Sequence, residues 1–305
     1  MSKKPQRIAV AINPRASFGR GADVGDVVVQ TLRGAGYEVT TLVEPDGESL
    51  WESTRAVIGK HDALVVVGGD GMAHLGANVV AGTRIPLGIV PTGTGNDLAR
   101  GLGIAISNAE AAMNQLLESL EREPRVIDAG RIRGDGADRW FACIFSAGFD
   151  AIVNERANQM RWPKGRQRYN LALLRELAAL TPIHYRIELD DETIETRAML
   201  VAVANNTSFG GGMLVTPDAL LDDGLFDVLI VQPLSRIAFL RIFPRVFKGT
   251  HVSDPRVRIV RSRRVTVHAD TVVAYADGER IAPLPLELEI VSGALRVFAP
   301  EQRAD

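Results

Sequence analysis

Four short runs rich in aliphatic and β-branched residues, at 8–12, 38–43, 63–67 and 87–90, alternate with segments of helical length and spacing. Strands so short and so continuously apolar need cover on both faces, and the intervening helices can supply it. The pattern is that of βαβ units and a parallel sheet. After about residue 125 the rhythm changes. Runs at 126–132, 140–145, 185–189, 198–204, 225–231, 256–260, 265–268, 272–275 and 286–291 follow at close spacing, separated by turns such as Asp222-Asp223-Gly224 and Asp277-Gly278. Many short strands of this kind predict an antiparallel sandwich. Two helical stretches interrupt it, at 151–180 (broken at Trp162-Pro163) and at 235–247.

The chain has 305 residues, and single cores stop growing near roughly 250–300 residues, so two domains are expected. The boundary falls where the rhythm changes, giving an α/β domain over 1–126 and a β domain over 127–291. Hydrophobic residues make up 46% and charged residues 24%, which excludes a largely disordered chain. The net charge of −2 argues against an electrostatic nucleic-acid binder. A single cysteine, Cys143, excludes an internal disulfide and a Cys-based zinc site. No apolar run reaches the roughly 18–20 residues that span a bilayer, and the run behind the basic N-terminus is too short for a signal-peptide core. A cytoplasmic location is expected.

The chemistry concentrates in glycine-rich turns. Val65-Val66-Val67 runs into Gly68-Gly69-Asp70-Gly71, followed by a helical segment. Glycines at a strand-to-helix turn let backbone N–H groups approach a phosphate, and the helix N-terminus adds a favourable dipole. Asp70 would repel a bare phosphate, which points to a metal ion or its waters between them; a tight structural turn with an exposed Asp is the other reading. After the run at 87–90 comes Pro91-Thr92-Gly93-Thr94-Gly95-Asn96-Asp97, at the sheet edge where open α/β proteins bind ligands. Asn96 or Asp97 could equally cap the following helix. Asn13-Pro14, with Gly19 and Gly21, forms a third loop at this edge. Three converging loops argue for a nucleotide, although no G-x-x-x-x-G-K-[ST] motif and no full dinucleotide fingerprint is present. The five histidines show no ligand spacing.

Gly68-Gly69-Asp70-Gly71, together with Pro91 to Asp97 and the following Leu98-Ala99-Arg100, resembles the diacylglycerol kinase catalytic-domain family, whose relatives include bacterial lipid kinases and sphingosine and ceramide kinases. Asn13-Pro14, Asp128-Ala129-Gly130, Ala147-Gly148-Phe149-Asp150, Asn205-Asn206, Asp222-Asp223-Gly224 and Asp277-Gly278-Glu279 fall in the family's order. The resemblance implies an NAD kinase- or phosphofructokinase-like α/β domain that binds ATP through Asn13, Pro14, Gly68, Gly69, Asp70, Gly71, Thr92, Gly93, Thr94, Gly95, Asn96 and Asp97. It implies a β-sandwich domain that holds the lipid, and a tail, 292–305, that returns to the nucleotide domain. It further implies Mg²⁺ near Asp70, Asp97 and Asp128, with a second, structural Mg²⁺ held by Asp223 and the carbonyls of Leu220 and Leu225. Asp277 would be the general base, supported by Glu279. Taken alone, Asp277-Gly278 is a common hairpin turn. Where the family usually carries Thr, this chain has Met72.

The activity implied is transfer of the ATP γ-phosphate to a lipid hydroxyl, with diacylglycerol the expected acceptor and a place in phospholipid biosynthesis. Phosphatidylglycerol, a sphingoid base or NAD are the alternative acceptors, and a nucleotide-sensing homologue without catalysis is the alternative class. Between Leu234 and Arg264 stand nine Lys/Arg and one acid, Asp254; Arg156 to Arg168 adds five more basic residues. With phenylalanines interleaved, such stretches fit a surface drawn transiently to anionic lipids; a solvated basic face over a core helix is the plainer reading. A homodimer is left open.

Overall fold

The computed structural model describes residues 5–13, 20–134, 136–148, 153 and 181–301. Pro14, Gly19, Asp150 and, apart from Val153, the expected helical stretch at 151–180 with its basic residues lie outside the described residues. The chain divides into two compact units, Met1–Ala129 with Gly210–Gly212 and Ser292–Asp305, and Gly130–Phe209 with Met213–Val291.

The first unit runs β1 (Arg7–Ile12), α1 (Arg20–Gly34), β2 (Glu38–Val43), α2 (Gly47–Ile58), β3 (Ala63–Gly68), α3 (Asp70–Val80), β4 (Leu87–Pro91), α4 (Asp97–Gly101) and α5 (Ala109–Leu120). The four strands are parallel in the order β2-β1-β3-β4. Ile8, Val10, Val65, Val67 and Val90 pack against Val28, Val29 and Leu32 of α1 and Met113, Leu116 and Leu120 of α5. α2 and α3 pack on β1 and β3. The inner strands are therefore covered on both faces, which is why they read as unbroken apolar runs. Side-chain caps start two of the helices: Asp46 accepts the Ser49 N–H for α2, and Asn108 accepts those of Glu110 and Ala111 for α5. From β1 the chain turns outward to β2 and then crosses to β3 on the other side. The carboxyl ends of β1 and β3 thus flank the switch point of the sheet, the place where such folds bind ligands.

The second unit is a two-layer antiparallel sandwich. Its strands are β5 (Arg125–Gly134, entered from the first unit), β6 (Ala137–Phe141), β7 (Ile144–Gly148), β8 (Ile183–Glu188), β9 (Thr193–Ala198), β10 (Leu200–Ala204), β11 (Ser208–Phe209), β12 (Met213–Leu214), β13 (Phe226–Val231), β14 (Val257–Ser262), β15 (Arg264–His268), β16 (Val273–Ala276), β17 (Glu279–Pro283) and β18 (Leu286–Val297). One layer has the order β14-β13-β10-β7-β16-β17. The other is formed by β18, β15, β8 and β9, with β5 on β18 and β6 on β5. Phe145, Val203 and Val228 from the first layer meet Phe141, Tyr185, Val267 and Leu288 from the second in one core. Phe141 stacks on Phe226 with ring centroids 5.6 Å apart. Beyond Val291 the end of β18 belongs to the first unit, where Val297 lies opposite Leu87 of β4.

Two departures from the sequence pattern have clear causes. The run 140–145 is two strands, because β6 ends at Phe141 and β7 begins at Ile144; the amides between them bond a distant carboxylate, described below. The helical stretch 235–247 is α6 (Arg236–Ile242), which tightens into a 3₁₀ segment over Phe243–Lys248 as Pro244 enters its first turn. Among the described residues no helix is long and apolar enough to cross a membrane.

The glycine of Asp128-Ala129-Gly130 has a packing reason: a Cβ there would stand 2.1 Å from the Phe141 ring. Gly130→Ala is expected to destabilise the protein by about 1–3 kcal/mol, read as a lowered Tm. Gly59→Ala, where a Cβ meets nothing within 4 Å and φ is −61°, leaves Tm unchanged or slightly raised.

Candidate functional site

In the first unit the two glycine-rich turns lie side by side, because β3 and β4 are adjacent, parallel and in register to Gly68 opposite Pro91. The backbones approach so closely that a Cβ on Gly93 would stand 2.5 Å from the Gly69 Cα. Only glycine fits there. Met72 covers the first turn: its Cγ lies 2.3 Å from where a Gly68 Cβ would be, and the side chain is buried.

The carboxylates of these turns are engaged with backbone. Asp70 reaches across to the second turn, its Oδ2 accepting the Asn96 N–H at 2.9 Å and its Oδ1 the Asp97 N–H at 2.7 Å. A Cβ on Gly95 would collide with Asp70 Oδ2 at 2.3 Å. Burial pushes the Asp70 carboxyl above its ordinary value, and the nearby Asp97 charge adds to that, opposed by the two amides. Asn96, left-handed at φ 54°, closes the turn by bonding the Gly93 N–H and C=O through its amide. Asp97 in turn accepts from Gly211 (2.8 Å) and Gly212 (2.9 Å), with the Arg100 Nε 3.9 Å from its Oδ1. Gly210, Gly211 and Gly212 all have positive φ, a run only glycines sustain readily. Sequence reasoning passed over this triplet, whose signal was three consecutive glycines.

Asn13 follows β1, its N–H bonded to the Val67 carbonyl. Gly71 lies in the first turn of α3, and Thr92 donates its N–H to the Gly68 carbonyl. Thr94, beside Gly95, belongs to the same turn as Asn96. Asp128 is buried on β5 and accepts the N–H of Gly293, so it pins the returning tail. Among the described residues no three acidic, histidine or cysteine side chains converge on a point that would hold a cation. Mg²⁺ usually needs only one or two carboxylates when phosphates supply further oxygens, and Asp70 and Asp97, neighbours with hard oxygen donors, fit that lesser demand. Asp223 lies in the turn that leads into β13, between Leu220 and Leu225. Its Oδ2 is ion-paired with Arg261, and its Oδ1 accepts the Leu225 N–H. The Leu220 side chain is exposed.

In the second unit Asp277 and Gly278 form the two-residue turn between β16 and β17, with φ of 51° and 87° and Ala276 paired to Glu279. That is the left-handed hairpin turn the Asp-Gly pair favours. The Asp277 carboxylate is buried and collects three amides: Ala142 on Oδ2 at 2.9 Å, and Cys143 and Ile144 on Oδ1 at 2.9 and 3.1 Å. Asn205 braces that segment by donating its N–H to the Cys143 carbonyl and its side-chain amide to Ala142, while Asn206 bonds the Cys143 sulfur. Glu279 begins β17 exposed, and among the described residues it makes no bond to Asp277.

Ile144 connects this carboxylate to a feature the sequence did not announce. Its N–H serves Asp277, while its side chain lines an apolar cavity of about 110 Å³ together with Ala202, Leu229, Phe243, Val246 and His251 among others. The cavity lies between the β14-β13-β10-β7 layer and the inner face of α6 and its 3₁₀ extension. His251 is the polar residue in the wall. Its Nε2 is 3.0 Å from the Val215 carbonyl, which fixes the proton there, and its Nδ1 has no partner among the described residues.

Residues 7–132 match the diacylglycerol kinase catalytic domain, and residues 143–299 match the YegS C-terminal NAD kinase beta sandwich-like domain. The chain is 39% identical over 297 residues to a diacylglycerol kinase of Mycobacterium tuberculosis (strain CDC 1551 / Oshkosh), covering 96% of this chain and 95% of that one. It is 28% identical to one of Bacillus subtilis (strain 168), over 91% of each. Its fold is similar to a crystal structure of a diacylglycerol kinase from Bacillus anthracis str. Sterne, with a TM-score of 0.73, 20% identity and 98% of each chain covered. It is also similar to an NAD kinase from Archaeoglobus fulgidus in complex with ATP, with a TM-score of 0.55, 15% identity and 97% and 94% covered.

Burial holds His251 below its ordinary value, and the Arg245 charge adds to this against the Val215 carbonyl. The unfolded chain therefore takes up a proton near pH 6.5 that the folded one resists, so stability is lost as pH falls below about 6.5. In His251→Phe the Tm is expected to fall less than in wild type between neutral pH and about pH 5, measured by thermal melts across that range.

Proposed function

We propose, from the premise that the chain belongs to the diacylglycerol kinase catalytic-domain family, that it transfers the γ-phosphate of ATP to the hydroxyl of a lipid, with diacylglycerol as acceptor and phosphatidic acid as product. The observation that carries the lipid reading is the buried Asp277 carboxylate one residue from an apolar cavity, joined to it through Ile144. A hydroxyl on an apolar chain is the acceptor such a pairing suits; a nucleotide such as NAD would leave the cavity unused.

In this reading the first unit binds ATP. The amides of the Gly68-to-Gly71 turn, beside the switch point, and of the neighbouring Thr92-to-Asn96 turn, both at the carboxyl edge of the parallel strands, face its phosphates. Asp70 and Asp97 are the residues that would hold a nucleotide-borne Mg²⁺, which supplies charge neutralisation when bound. Pro14 is part of the same proposal. The acceptor oxygen forms a bond to the γ-phosphorus as the bond to the β-phosphate oxygen breaks and ADP leaves. The hydroxyl proton passes to Asp277. Through a loose transition state an alcohol keeps that proton until late, so a carboxylate fixed in place serves as base. The three amides fix it, and Gly278 completes the turn that presents it. Product of this kind enters phospholipid biosynthesis. A role for Glu279 would be indirect, since it stands exposed beside the turn.

The test is a panel of acceptors with [γ-³²P]ATP: diacylglycerol in mixed micelles, phosphatidylglycerol, a sphingoid base and NAD. Label in phosphatidic acid is expected. Label only in NAD, or in none, overturns the reading. Asp277→Asn, which keeps one oxygen for the amides, is expected to lower transfer by about a hundredfold or more with melting still cooperative; Glu279→Gln is expected to change it by far less.

A further inference from the structure

The basic stretch read between Leu234 and Arg264 is not one surface. Arg256 pairs with Asp254, Arg258 with Glu192, Arg261 with Asp223 and Arg264 with Asp190. Those four guanidiniums are neutralised locally. What remains is Arg263, just after β14, and the basic residues of α6 and the 3₁₀ segment after it, and from Leu234 to Ser253 the sequence contains no Asp or Glu.

This element carries large apolar side chains on both its inner and its outer face. Phe239, Ile242, Phe243 and Val246, at i, i+3, i+4 and i+7, face inward and line the cavity. A helix over a core normally turns polar residues outward. Here Ile237 is 65% exposed, Leu240 57% and Phe247 46%. Three of the seven large apolar side chains exposed among the described residues thus fall within eleven positions. Exposed Arg241 and Lys248 flank them and make no ion pair among the described residues. Apolar side chains at the centre with unpaired cations beside them, and no acid, match a surface that is apolar inside and anionic outside.

We propose that the outer face of α6 and its 3₁₀ extension docks the protein on an anionic lipid bilayer, with Ile237, Leu240 and Phe247 entering the interface and Arg241 and Lys248 meeting headgroup phosphates. The choice of a bilayer rests on the lipid-kinase reading, because the inner face of the same element walls the cavity assigned to the acyl chain. The element therefore touches the bilayer on one side and the acceptor's site on the other.

The experiment uses the full chain and vesicles of phosphatidylcholine with and without phosphatidylglycerol, in sedimentation without ATP. Wild type is expected to bind the anionic vesicles and to be released by salt. Each cation near an anionic leaflet is worth roughly fivefold in partitioning, so Arg241→Glu, a change of two charges, should weaken binding at least tenfold. Ile237→Ser with Leu240→Ser should weaken it by about tenfold or more. Both variants change exposed side chains outside the cavity wall, and both should phosphorylate short-chain diacylglycerol in detergent micelles as wild type does. Wild-type binding in either variant, or no vesicle binding by wild type, overturns the docking surface. A wild-type dimer that these substitutions dissociate also overturns it, since a second copy would then cover the face. Failure of wild type to phosphorylate any lipid in micelles would instead overturn the functional reading, and the vesicle measurement would show it separately.

Discussion

The carboxylate of Asp277 takes the backbone N–H groups of Ala142, Cys143 and Ile144, and much of the second unit is arranged around that capture. Those amides would otherwise continue a strand ladder. Because they turn to Asp277, β6 and β7 are separate strands contributing to different layers, with Phe141 in one and Phe145 in the other. The left-handed backbone of an Asp costs on the order of 1 kcal/mol or more; three charge-assisted hydrogen bonds offset that and fix the side chain. Asn205 and Asn206 hold the receiving segment from the far side.

The first unit uses the same device twice. Asp70 clamps the amides of Asn96 and Asp97, and Asp97 clamps those of Gly211 and Gly212. Each carboxylate ties one glycine-bearing turn to the next, so turns that would be mobile alone form a fixed frame. These acids support the loops as well as offering oxygen to a cation. A loss of activity on replacing either one would thus have two physical components, frame and charge.

The parallel sheet was legible because its strands are buried on both faces and read as β3 does, unbroken from Ala63 to Val67. The edge strand β9, Thr193–Ala198, was not, because its outward residues are polar and its run has no apolar signature. The break at 142–143 was equally hidden, since its cause lies about 135 positions away in sequence. The motif residues were legible as residue types in order. Their partners were not: Arg261 pairs with Asp223 across 38 positions, and neither local pattern contains that contact. The cavity was invisible for a related reason. Its wall is assembled from residues 144 to 257 across several strands and α6, each of which reads as ordinary core.

The proposed lipid specificity rests on a buried carboxylate and an apolar chamber that share Ile144. The most direct test of their partnership fills the chamber. Ala202 lines it and is 2% exposed, with its neighbours on β7 and β13 in register at Ser146 and Leu229. With Ala202→Phe, phosphorylation of long-chain diacylglycerol in micelles should collapse while ATP binding and Tm are retained. Unchanged transfer to the long-chain lipid would contradict the assignment of the cavity to the acceptor.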